Sequence, residues 1–312
     1  MKDLKQYDIK HKIQRNYIHW DVSSQCQLKC SYCYAIDDYG LDKDWDKIDS
    51  WTRQKLVIRN IKNSSLPCFL GLLGGEPTIH PRYNELIELC HDAISQHKDG
   101  RLYVTTNGLQ TNDFFKTHKF YKNMYFLWSI HFEYITDKNI LNIFKNIQTS
   151  IDNGFRNKVN VMLHPDKKYW KQIHNIIDVL EKMNVEIHPH FLYDNGNVHG
   201  LHNYPKEFYD EFKRFENYDE YLIFEDNEKI TKYNDYTIFN NKMTCFKDWD
   251  CWNNNYEINI FGKVQRLCFD ERDDLITNFN YFKKIKEIKP RRCPHNSCNC
   301  DGLLKIYKEC HV

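Results

Sequence analysis

The sequence lacks an apolar opening: its first residues read MKDLKQYDIKHKIQRNY, with no hydrophobic run of signal-peptide length. Nor does any later window hold about 18 uncharged apolar residues, the length a membrane-spanning helix needs. A cytoplasmic chain without a membrane partner is therefore expected. An excess of one charge is missing too, with 44 Lys and Arg against 43 Asp and Glu in 312 residues. No global field points to nucleic acid or an anionic surface, so any partner must be chosen locally. Internal repeats and low-complexity segments are absent, and the length suffices for a substantial core in one large domain or one domain with an appendage.

Cysteine, by contrast, is plentiful: there are twelve. In a short secreted chain that count would suggest a disulfide framework, whereas clustered thiols in a cytosolic chain more often bind metal or do chemistry.

Six short apolar runs rich in β-formers mark the first two thirds: YIHWDVSS (17–24), CFLGLLGG (68–75), RLYVTTNG (101–108), MYFLWSIH (124–131), KVNVMLH (158–164) and VEIHPHFL (185–192). They are nearly continuous rather than alternating, as expected of parallel strands covered on both faces. Helical faces lie between them. Leu86, Leu89, Cys90, Ala93 and Ile94 form one, Ile140, Ile143, Phe144, Ile147 and Ile151 a second, and Trp170, Ile173, Ile177 and Leu180 a third. Gly154 sits where the second should stop. Repeated right-handed βαβ units follow, either as a doubly wound open sheet or as a partial barrel. Both place function at the C-terminal ends of the strands. Beyond about residue 205, PKEFYDEFKRFEN reads as one more helix and YLIFEDNEKITKYNDYTIF as short strands. A boundary is expected near residue 235, followed by a cysteine-rich tail.

Directly after the first strand, CQLKCSYCY places Cys26, Cys30 and Cys33 at the spacing C-x3-C-x2-C with no fourth thiol nearby. A structural zinc site would close its tetrahedron with a fourth ligand. A [4Fe–4S] cluster held by three cysteines keeps one iron open for an external ligand. The second strand ends in GLLGGEP, with Gly74, Gly75, Glu76 and Pro77.

The cysteine spacing, with Tyr32 before the last thiol and the GGEP segment on the next strand, resembles the radical S-adenosylmethionine (SAM) superfamily over roughly residues 17–192. That resemblance implies an α/β fold with a partial (β/α)6 TIM-like barrel, and a cluster whose open iron chelates the methionine end of SAM. It further implies reductive cleavage to a 5′-deoxyadenosyl radical, fed by a reductant such as flavodoxin or ferredoxin. Tyr32 is then expected against the adenine, Gly74 and Gly75 where backbone approaches ligand, and Glu76 as an acceptor for an ammonium group. Asn107 in TTNG and Ser129 in WSIH are candidates for the ribose and carboxylate.

The tail extends the resemblance. Cys245-x5-Cys251, then YEINI and KVQRLC about Gly262, ending at Cys268, resembles the first half of a SPASM/twitch module, in which a hairpin separates ligands of an auxiliary iron–sulfur cluster. The remaining pattern, CPHNSCNC and then Cys310, departs from it. The resemblance assigns Cys245, Cys251, Cys268 and Cys300 to one auxiliary cluster. Cys293, Cys298 and Cys310 then hold a second cluster, with an open iron or with His295 as ligand, or bind zinc, or are spare thiols. Seven tail cysteines are one short of two fully thiolate-ligated clusters.

Other residues carry less. His131, His164, His188 and His190 fall at strand ends, on the face where a barrel does its chemistry, yet read mostly as core and loop histidines. Cys68 and Cys90 read as ordinary buried cysteines. The expected organisation is a radical SAM domain over 1–234 and a small cysteine-rich α+β iron–sulfur domain over 235–312. Its expected function is hydrogen-atom abstraction leading to oxidation, crosslinking or epimerisation of a peptide or protein, with a carbohydrate or other small metabolite as the alternative substrate. A non-catalytic zinc-binding protein is the remaining alternative. Only about sixteen residues precede the first strand, so no fused peptide-recognition domain is expected.

Overall fold

The computed structural model describes residues 5–7, 14–33, 48–192, 204–217, 221–226, 229–234, 245–269, 271–296, 298 and 306–309. The boundary expected near residue 235 lies outside the described residues, as do Cys300 and Cys310.

A three-residue strand, β1 (Lys5–Tyr7), precedes the six expected parallel strands. These are β2 (Asn16–Ser23), β3 (Cys68–Gly74), β4 (Arg101–Thr106), β5 (Met124–Ile130), β6 (Arg156–Leu163) and β7 (Glu186–Phe191). They pair in consecutive order and all in parallel, from Ile18 beside Leu70 to Met162 beside His190. A doubly wound sheet would reverse its strand order at a switch point. Here no reversal occurs, which is consistent with a partial barrel.

Between the strands run α1 (Ile48–Lys62), α2 (Tyr83–Ile94), α3 (Asn112–Lys116), α4 (Asp137–Asp152) and α5 (Trp170–Lys182). The helix α1 has no counterpart among the sequence's three clear apolar faces; it still buries Trp51, Val57, Ile58 and Ile61. Thr136 caps α4 through a reciprocal box with Asn139. Its other end closes with Gly154 at φ 85°, where Gly154 N–H donates to the Ile151 carbonyl and Phe155 N–H to that of Ser150. The helices cover one face of the sheet. Ile18, Trp20, Leu70, Leu72, Val104, Phe126 and Trp128 meet Leu86, Ile87, Ile147, Ile173 and Ile177 there in one core.

Alternate residues take the opposite face. Low on that face, Tyr17, Phe69, Tyr103 and Tyr125 from four successive strands form a layer of rings with centroids 5.3–6.1 Å apart.

After β7 the expected helix divides into α6 (Lys206–Glu211) and a 3₁₀ turn (Lys213–Asn217). The strands β8 (Tyr221–Asp226) and β9 (Lys229–Asn234) then form an antiparallel hairpin. In the tail come β10 (Asp250–Cys251), β11 (Asn255–Ile258), β12 (Lys263–Arg266), β13 (Glu271–Asp274), α7 (Tyr281–Lys284), β14 (Arg291–Arg292) and β15 (Lys308–Glu309). The hairpin β11–β12 turns at Gly262, at φ 80°. It joins the main sheet, because β11 pairs in parallel with β2, Asn255 beside Tyr17 and Ile258 beside Trp20. A second sheet, in the order β14-β10-β15-β1-β8-β9, ties the tail to the N-terminal strand.

Candidate functional site

At the C-terminal end of β2 the chain leaves the sheet and enters the three-cysteine loop. Two glycines control how it does so. Gly75 N–H donates to the Ser23 carbonyl at 2.6 Å and Glu76 N–H to the Gln25 carbonyl at 2.6 Å. A Cβ on Gly75 would stand 2.0 Å from the Gln25 oxygen, and one on Gly74 2.3 Å from the Ser23 oxygen. Gly74 also has φ 103°, a conformation that L side chains rarely adopt. In the described structure the glycine pair thus receives the strand leading to Cys26: the close approach is backbone to backbone.

Glu76 is buried, at 2% exposure, and caps a 3₁₀ turn (Pro77–Ile79) that Pro77 opens. One carboxylate oxygen accepts from Thr78 N–H at 3.1 Å and Thr78 Oγ1 at 2.5 Å; the other accepts from Asn107 N–H at 2.7 Å. Burial raises its pKa, against those hydrogen bonds. The carboxylate therefore staples the ends of β3 and β4 together. Asn107 continues toward the thiols, its Nδ2 lying 3.2 Å from Gln27 Oε1 and 3.9 Å from Cys26 Sγ.

From the other side the loop is clasped by HFEYI, the segment after β5. Glu133 accepts from Ser31 N–H at 2.8 Å and Ser31 Oγ at 2.5 Å, Tyr134 donates to the Lys29 carbonyl at 2.6 Å, and His131 Nδ1 lies 3.1 Å from the Tyr32 hydroxyl. The Tyr32 ring stacks on His131 at 5.9 Å and 20°, with His164 at its edge. Burial works to raise the Glu133 pKa, but the Ser31 hydrogen bonds and His164, 3.5 Å away, hold it below the usual carboxylate value. Burial lowers His131 to about 4, so the ring is neutral. Glu133 and Tyr134 were not singled out by sequence: Ser31 and Glu133 are 102 residues apart. Ser129 is buried on β5, at 7% exposure, and pairs in register with Asn160. His188 and His190 share the inner face of β7, with ring centroids 5.8 Å apart.

Cys26, Cys30 and Cys33 gather with Tyr32, Leu28 and Leu192 in a small apolar cluster. Burial raises the thiol pKa values to about 11 for Cys26 and about 12 for Cys30. A bound metal would have to displace those protons. Three soft donors on one loop fit an iron–sulfur cluster with an open iron.

A second thiol group lies at the opposite end of the sheet. Cys251, Cys268, Cys293 and Cys298 line one cavity of about 10 Å³, together with Phe269 and Lys308. Sheet pairing brings them together: β10 pairs with β14, and Cys293 N–H donates to the Trp249 carbonyl at 2.8 Å. Cys268 follows Leu267, whose N–H reaches the Asn255 carbonyl at 2.9 Å. Cys293 and Cys298 line this cavity beside Cys251 and Cys268, while Cys300 and Cys310 lie outside the described residues. Cys245 is exposed and does not line the cavity. Burial raises Cys251 to about 11 and Cys268 to about 12. Among the described residues, no group of three or more His, Cys, Asp or Glu side chains is placed to hold a single metal ion.

Residues 16–162 match the family model described as a 4Fe-4S single cluster domain. Over 91 residues the chain is 26% identical to an S-adenosylmethionine-dependent nucleotide dehydratase of Selenomonas ruminantium, covering 29% of each chain. Over 101 residues it is 31% identical to a GTP 3′,8-cyclase of Microcystis aeruginosa, covering 30% of this chain and 28% of that one. These findings support the radical SAM superfamily. The chain spans under a third of the length of those curated relatives. Among solved structures, anSMEcpe with bound AdoMet has a TM-score of 0.52 at 15% identity, over 88% of this chain and 80% of that one. The same protein with AdoMet and the Kp18Cys peptide gives 0.53 at 13%, over 88% and 81%. This likeness is one of fold.

Proposed function

We propose that the chain is a radical SAM enzyme in which Cys26, Cys30 and Cys33 hold a [4Fe–4S] cluster whose open iron binds SAM. When bound and reduced by one electron, that group supplies a 5′-deoxyadenosyl radical for hydrogen-atom abstraction. The observation that carries the reading is the backbone seat of the loop. Gly75 and Glu76 fix residues 23–25 while Glu133 and Tyr134 fix residues 29–31, so three thiols are held at the strand ends with no fourth cysteine in their cluster among the described residues. Asn107 beside Cys26, Tyr32 within the loop and Ser129 on β5 are the side chains proposed to orient SAM. The decisive experiment reconstitutes iron and sulfide anaerobically, then adds SAM and dithionite. Formation of 5′-deoxyadenosine is expected from the native chain and lost from Cys30→Ala, whereas a protein that binds zinc and forms none overturns the reading.

The second thiol group is proposed to hold one auxiliary iron–sulfur centre through Cys251, Cys268, Cys293 and Cys298. Four thiolates leave no iron open for a substrate. Its role is then to exchange electrons, which favours an oxidative outcome. The substrate is proposed to be a peptide or protein side chain that is oxidised, crosslinked or epimerised, a reading supported by the fold shared with a protein solved in complex with a peptide. A small polar metabolite is the second reading. It is supported by the curated relatives, a nucleotide dehydratase and a GTP cyclase, and by the inner face, where His188, His190 and Asn160 stand above the ring layer of Tyr17, Phe69, Tyr103 and Tyr125. Transfer of deuterium from labelled candidates into 5′-deoxyadenosine separates the two. Label arriving from peptides alone supports the first reading, and label arriving from small metabolites alone supports the second.

A further inference from the structure

The tail cavity contains one side chain that the cysteine pattern gives no reason to expect. Lys308 lies on β15 at 1% exposure and lines the cavity with the four thiols. In the sheet it stands opposite Cys251, so the two side chains leave the same face of neighbouring strands. Its ammonium donates to the Ile306 carbonyl at 3.1 Å and lies 4.9 Å from the centroid of the buried Phe246 ring. Burying a lysine removes the hydration of its charge, and that cost must be offset by the surroundings. Thiolates that bind a centre in this cavity would offset it directly.

We propose that Lys308 is the built-in counter-charge of the four-thiolate nest, held by Phe246 and the Ile306 carbonyl so that its ammonium sets the net charge and reduction potential of the centre bound there. The inference rests on the auxiliary-centre reading. An oxidised [4Fe–4S] core with four thiolates is a dianion, and reduction by one electron adds one further negative charge. A fixed cation beside it stabilises the reduced form more than the oxidised form and raises the potential. The electron comes from a low-potential reductant, which is dithionite in the test, or from a substrate radical during turnover. Lys308 is thus a tuning residue: it touches neither SAM nor the reacting atoms.

The test uses the full chain with Cys26, Cys30 and Cys33 changed to alanine, so that only the rear centre is read. Lys308→Met and Lys308→Arg are made in that background, iron and sulfide are counted, and the centre is titrated with dithionite under electron paramagnetic resonance. Lys308→Met is expected to keep its iron while reduction becomes about tenfold less favourable, a shift of about 59 mV for one electron. Lys308→Arg is expected to stay within about twofold of its parent. An unchanged potential in Lys308→Met overturns the proposal. If Lys308→Met fails to fold, the arginine variant decides. Normal iron and potential there support a requirement for charge, and loss of iron there overturns it. If the parent carries zinc in place of iron, the auxiliary-cluster reading fails, yet the counter-charge is still tested by zinc retention against a chelator. A tenfold loss in Lys308→Met then supports it, and unchanged retention overturns it.

Discussion

The two thiol groups occupy opposite ends of one sheet and are built on opposite principles. Cys26, Cys30 and Cys33 come from a single loop at the C-terminal end of β2. Cys251, Cys268, Cys293 and Cys298 come from separated segments near the N-terminal end of the same strand, where Asn255 pairs with Tyr17. Six residues of β2 at about 3.3 Å each separate the two levels by roughly 20 Å. The front group has three thiols and is hung from its neighbours by hydrogen bonds. The rear group has four thiols, a buried lysine and a cavity of about 10 Å³. An open ligand set suits chemistry on an exchangeable ligand; a closed, charge-compensated set suits electron exchange.

The sharpest break in this comparison is Cys30→Ala. It should abolish 5′-deoxyadenosine formation and lower bound iron from about eight to about four per chain, counted by chelation, since the rear ligands are untouched. Next in size is Gly75→Ala. Its Cβ would fall 2.0 Å from the Gln25 oxygen, forcing the approach to Cys26 to move. A shift near 1 Å in a reacting geometry costs on the order of 10²-fold, so SAM cleavage should drop by about that factor while rear iron stays.

Cys268→Ala and Cys245→Ala form the third test, read by iron content and by SAM cleavage without substrate. Cys268→Ala should remove the rear iron and leave that cleavage within a few-fold of the native rate. Cys245→Ala should leave both, because Cys245 is exposed and outside the nest. Equal iron loss in the two variants would return Cys245 to the ligand set.

Among the substitutions around the front loop, Glu133→Gln is expected to have the smallest effect, about a tenfold fall in SAM cleavage, because the amide still accepts from Ser31 but without charge. Its pH dependence has a definite sign. The folded pKa of Glu133 lies below its unfolded value, so the clasp is fully present above the ordinary glutamate range, about 4.3, and is lost as pH falls through the lower folded value. Acid release of iron from the front loop should therefore be shallower in Glu133→Gln than in the native chain.

The contrast between the ends also marks what the chain makes legible. All six parallel strands follow from near-continuous apolar runs, because a strand covered on both faces carries its own signal. The front thiols are legible for a similar reason: their spacing is local. The glycines that follow β3 are visible as a motif, but their closest approach is to Gln25 and Ser23, a relation carried by pairing between strands rather than by either segment. Glu133 is invisible for the same reason, acting on Ser31 from 102 residues away. At the rear, β10, β14 and β15 are two residues long and have no periodicity to read. Nothing local announces that Cys293 and Cys298 join Cys251 and Cys268, or that Lys308 faces them.

One measurement bears most directly on the claim of two separate centres: the iron and sulfide content of the chain with Cys26, Cys30 and Cys33 all changed to alanine. About four irons and four sulfides per chain are expected to remain, with an electron paramagnetic resonance signal on reduction and no SAM cleavage. A triple variant that retains no iron, or that holds zinc in its place, would contradict the account.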